Sequence, residues 1–117
     1  MENQEDLKKY IDIDTALARV RGNKAIYKKM LGLFLQSNSF AELEDIISKK
    51  DYPKASEIAH GIKGMTGNLG MTIVFDESAK LMVQMRSGAP DEETLKIYRE
   101  ALIKTREYVE KLVVELA

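Results

Sequence analysis

Apolar residues recur along this chain at spacings of three and four, and nowhere do they alternate with polar ones over a strand's length. The last stretch is the cleanest. Leu95, Tyr98, Leu102, Thr105, Val109, Leu112 and Leu116 form one helical seam, with Asp91 as cap and Glu92 and Glu93 favourably placed in the first turn. Upstream, Asn23 caps a helix predicted over 24–49, with the stripe Ile26, Met30, Leu33, Phe40, Leu43 and Ile47. Ser37-Asn38-Ser39 is a weak helix interior and the place for a bend or break. Asp51 caps the next helix, with Pro53 in its first turn, where a missing N–H costs little. That helix runs to Asn68-Leu69-Gly70. Thr72 is the expected cap of a helix with the stripe Met71, Val74, Ser78, Leu81, Met82 and Met85, followed by a loop at Ser87-Gly88-Ala89-Pro90. At the start, a flexible polar segment over 1–9 and the lead-in Tyr10-Ile11-Asp12-Ile13 precede a short helix capped by Asp14 and stopped by Gly22. Short connections favour antiparallel neighbours. The expected fold is all-α: an antiparallel up-down four-helix bundle with a short extra N-terminal helix, forming one domain over 10–117.

Composition narrows the functional classes. At 117 residues, 44% apolar and 32% charged, the chain is long enough for one hydrophobic core. A net charge of −1 gives no reason to expect nucleic acid as a partner. With no cysteine there is no disulfide and no thiolate metal site. The acidic start is unlike a signal peptide, and no apolar run approaches the ~20 residues of a membrane span. The expectation is a soluble, cytoplasmic protein that does not engage a membrane.

One stretch runs against the economy of the rest. Ala59 to Gly70 holds the only histidine, His60, and four of the seven glycines. Three of them, Gly61, Gly64 and Gly67, lie inside a predicted helix. Each costs about 1 kcal/mol relative to alanine, roughly 3 kcal/mol together, against a typical domain stability of about 5–15 kcal/mol. At about 100° per residue, Ala55, Ile58, Ala59, Ile62, Met65 and Leu69 share one apolar arc, and His60 falls on the opposite side. Ser56, Lys63, Gly64 and Gly67 flank it. The imidazole is therefore expected in water, with Lys63 one turn away and the surrounding surface cleared of side chains for the approach of another molecule.

Other chemistries lack their residues. A metal site needs several converging ligands, and there is no second histidine. A Ser-His-Asp triad needs a buried third group, and the helix face behind the ring is apolar. There is no phosphate-binding glycine-lysine-serine run. A neutral, solvent-facing imidazole is suited to act as a nucleophile, and Lys63 to hold the oxygens of a transferred phosphoryl group.

The run His60-x-Ile62-Lys63-Gly64, followed by Asn68-Leu69-Gly70, resembles the signature of histidine-containing phosphotransfer (HPt) domains of bacterial phosphorelays. Upstream, Ile13-Asp14, Ala16-Leu17, Arg19, Gly22-Asn23, Tyr27 and Phe34 resemble the N-terminal half of the same family, so the likeness extends over about residues 10–110. It implies a four-helix bundle whose His60 accepts a phosphoryl group from a receiver-domain aspartyl-phosphate and passes it to another receiver. Lys63 would steady the phosphoryl group, and Ser56, Gly61, Gly64 and Gly67 would form the docking surface. The implied partners are response-regulator receiver domains and a hybrid sensor kinase. The domain itself would be a monomeric carrier without catalytic activity or cofactor, the magnesium ion residing in the partner. Two positions depart from the pattern: Met82 stands where the family often has glutamate, and Gly61 where it often has threonine, serine or alanine. The competing readings are a bundle that docks a receiver or kinase without phosphotransfer, and self-association through the 95–116 seam.

Overall fold

The computed structural model describes residues 4–116, and among them every regular element is a helix. In chain order these are α1 Gln4–Tyr10, α2 Ile13–Arg19, α3 Lys24–Gln36, α4 Ser39–Ser48, α5 Tyr52–Asn68, α6 Thr72–Ser87 and α7 Glu92–Glu115. α4 lies on α5, α5 on α6, α6 on α7, and α7 on α3, so the long helices close around one core. α1 lies against α6 and α7, and α2 against α3. None of these helices is long and apolar enough to cross a membrane.

The helix ends follow from local side chains. Asn23, Asp51 and Asp91 each accept the N–H three residues on, as expected. The predicted 24–49 helix is two helices. Ser37 turns extended, with ψ 134°, and its hydroxyl accepts the Ser39 N–H at 3.2 Å to open α4. The α6 stripe Met71, Val74, Ser78, Leu81, Met82 and Met85 is buried throughout. So are Tyr98, Thr105, Val109 and Leu112 of the α7 seam, with Leu95, Leu102 and Leu116 half-buried beside the core.

Four expectations are corrected. On α3 the inward residues are Tyr27, Leu31 and Phe34, while Ile26 and Leu33 are 46% and 58% exposed. The true stripe is one residue on from the predicted one. Asp12, not Asp14, caps α2, accepting the Thr15 N–H at 3.1 Å and its hydroxyl at 2.7 Å, and these bonds hold its carboxyl below the usual range. Thr72 does not cap α6; its hydroxyl donates to the Lys9 carbonyl oxygen at 2.6 Å. That partner exists because residues 4–9, read as part of a polar tail, form α1 together with Tyr10 of the lead-in, and Leu7 and Tyr10 pack on the core. Residues 1–3 of that tail lie outside the described residues.

The turn between α5 and α6 anchors the N-terminal helices. Gly70 has φ +73°, and the Asp12 N–H donates to its carbonyl oxygen at 2.7 Å. A Cβ at Gly70 would strike the Asp12 carbonyl, so this backbone approach also requires glycine. The buried Tyr27 hydroxyl donates to the neighbouring Leu69 carbonyl oxygen at 3.2 Å. Three helices, α2, α3 and α5, are thus fastened at one turn.

Candidate functional site

α5 and α6 run antiparallel at close quarters. Residue 60 of α5 meets residue 82 of α6, and residue 67 meets residue 75. Gly67 permits this approach on α5 by bringing no side chain to the contact. A Cβ on Gly67 would stand 2.9 Å from the Phe75 ring. Gly67 therefore has a packing role inside the molecule.

Gly61 and Gly64 are different. Both are exposed, and a Cβ at either would meet nothing within 4 Å. No contact within the described chain requires glycine at these two positions. They leave the backbone bare next to His60, which is itself exposed. The predicted exposure of the histidine and of Gly61 and Gly64 is what the structure has.

The ring is nonetheless held. His60 Nδ1 lies 3.3 Å from the Sδ of Met82, a residue only 8% exposed. That contact occupies one ring nitrogen and leaves Nε2 as the other. Beside the ring is an open depression of about 280 Å³ lined by Arg19, His60, Lys63, Gly64, Gly67, Asn68 and Phe75. Lys63 is half-buried, its Nζ 5.9 Å from the centre of the Phe75 ring, within cation–π range. Arg19 Nη1 donates to Asn68 Oδ1 at 3.3 Å. Two cations from different helices therefore border the same hollow as the imidazole. The arrangement suits an oxyanion placed beside the imidazole.

Ser56 is a correction. It was expected on the exposed flank, but it is 3% exposed, and its hydroxyl donates to the Met82 carbonyl oxygen at 2.8 Å. It cannot meet an arriving partner. α5 is covered by α4 on one side and α6 on another, so its buried arc is wider than its apolar stripe. A small hydroxyl with a backbone acceptor is tolerated there.

Sequence reasoning did not single out Arg19, Phe75 or Met82 as neighbours of the histidine. Arg19 arrives through the Asp12–Gly70 backbone contact, which no local pattern announces. Phe75 and Met82 follow only once the register of α6 on α5 is fixed. Among the described residues no group of three or more His, Asp or Glu side chains could hold a metal ion. Compared with known proteins, the chain matches no family model, no curated protein and no solved structure.

Proposed function

We propose that this protein is a phosphorelay carrier of the HPt kind, taking a phosphoryl group on His60 Nε2 from the aspartyl-phosphate of a receiver domain and yielding it to another receiver. The observation that carries the reading is the bare surface at His60. An exposed imidazole, anchored by its other nitrogen, stands beside two glycines that no intramolecular contact requires. Interior helix glycines at open positions are unfavourable for the isolated chain. Close approach of a second protein to the ring gives them a purpose.

The neighbouring groups fit the same chemistry. In transfer, the Nε2 lone pair attacks phosphorus in line while the aspartyl O–P bond breaks and its electrons return to the carboxylate. Lys63 and Arg19 border the space that the phosphoryl oxygens would occupy. The chain supplies the acceptor and the cations; it performs no net reaction of its own. In this reading α3 with α4, α5, α6 and α7 are the four members of an antiparallel bundle, with α1 and α2 as the short N-terminal additions. Response-regulator receiver domains and a hybrid sensor kinase are the proposed partners, and the cytoplasm the proposed compartment.

The test is a chase. A receiver domain carrying labelled aspartyl-phosphate is mixed with the protein, and a second, unlabelled receiver is added afterwards. A carrier acquires acid-labile, base-stable label and then loses it to the second receiver. If the protein binds receivers but never acquires label, it is a docking module and the carrier reading fails.

A further inference from the structure

We propose that Met82 is a positioning residue for His60: its thioether fixes the tautomer of the imidazole that leaves Nε2 free to accept the phosphoryl group. The inference rests on the carrier reading for its consequence and on geometry for its substance. Met82 Sδ lies 3.3 Å from His60 Nδ1, and Met82 is 8% exposed, so the sulfur is not a free surface group that meets the ring by chance. Its backbone is fixed as well. The Ser56 hydroxyl donates to the Met82 carbonyl oxygen at 2.8 Å, one turn before His60 on the same helix. α5 thus grips Met82 at two points, its backbone through Ser56 and its side chain through His60.

The chemistry of the two atoms sets the direction. A thioether sulfur carries no proton and accepts hydrogen bonds only weakly. A hydrogen bond across this contact therefore requires the proton on Nδ1, and in the neutral ring that leaves the lone pair on Nε2. Neutral imidazole in water favours the opposite tautomer, with Nε2 protonated and unable to attack. Met82 reverses that preference. When Nε2 bonds to phosphorus and the aspartyl O–P bond breaks, Nδ1 keeps its proton and the ring becomes cationic. The sulfur is no base and does not remove that proton. The phosphorylated ring then remains a good leaving group for the next receiver, whose carboxylate takes the phosphoryl group while the N–P electrons return to Nε2.

His60 is the only histidine, so its ring nitrogens can be read without ambiguity by long-range proton–nitrogen correlation at mildly alkaline pH. The variants are Met82→Leu, which keeps volume and loses the acceptor, and Met82→Gln, which restores an acceptor at similar reach. Melting curves check that both fold. The native protein is expected to show a protonated Nδ1 and a bare Nε2. Met82→Leu is expected to shift the ring towards the Nε2-protonated form and to slow transfer about two- to tenfold, as for the loss of one neutral hydrogen bond. Met82→Gln is expected to restore both. An unchanged tautomer in Met82→Leu overturns the proposal, as does slower transfer with no tautomer change, which would leave Met82 a packing residue. The spectroscopic arm needs no phosphoryl donor. If the tautomer responds while no variant ever accepts a phosphoryl group, the positioning stands and the carrier reading falls.

Discussion

His60 and Gly64 stand one turn apart on the exposed side of α5, and their substitutions separate function from stability. His60→Gln should abolish phosphoryl acceptance while changing stability within about ±0.5 kcal/mol, as for other surface positions; thermal melts and label uptake check the two halves. Gly64→Ala meets open space and should stabilise the fold by up to about 1 kcal/mol. It should nevertheless slow transfer, and Gly64→Gln should slow it further, towards the ~100-fold that a misplacement of about 1 Å can cost. Unimpaired transfer in Gly64→Gln would remove the docking explanation for the glycine. Gly67→Ala should show no such gain in stability, because its methyl group must push Phe75 aside. The sequence distinguished the exposed face of α5 correctly at His60, Gly61 and Gly64. It failed at Ser56, whose burial depends on where α6 lies, and it did not show the packing role of Gly67, whose neighbour Phe75 lies eight residues on, in α6.

At the scale of elements, three caps and the stripes of α6 and α7 were legible, while the caps of α2 and α6 and the face of α3 were not. Asn23, Asp51 and Asp91 act within four residues and could be read directly. On α3 two apolar stripes lie side by side, Ile26, Met30 and Leu33 next to Tyr27, Leu31 and Phe34. Periodicity cannot choose between them. The choice is made by a distant partner: Tyr27 turns inward and its hydroxyl reaches the Leu69 carbonyl. Likewise two aspartates flank Ile13, and Asp12 becomes the cap where its own N–H is held by Gly70. This turn also bears a prediction. Gly70→Ala combines an unfavourable left-handed φ with a collision against the Asp12 backbone and should cost about 1–3 kcal/mol or more by denaturant titration. An unchanged midpoint would show that the α2 attachment contributes nothing to stability.

For the whole molecule, the all-helical class followed from spacing alone, and the closed arrangement of α3 to α7 gives the α7 seam an internal partner. Sedimentation should therefore find a monomer; a concentration-independent dimer would revive self-association through that seam. Burial of Tyr27 first, and the nearby Asp12 charge second, push its phenol up to about 12 from the ordinary 10.0. The unfolded chain thus loses this proton at lower pH than the folded one. The contribution is intact below pH 10 and is lost as pH rises towards about 12, up to about 2–3 kcal/mol. Tyr27→Phe should flatten that alkaline decline, measured by unfolding at a series of pH values.

The central claim concerns one nitrogen on one residue. The most direct measurement is the intact mass of the protein after incubation with an aspartyl-phosphorylated receiver domain, beside the His60→Gln variant. The native chain should gain one phosphoryl group, mapped to His60 in peptides kept at alkaline pH, and the variant should gain none. A native chain that gains nothing, or a variant that gains as much, would contradict the account.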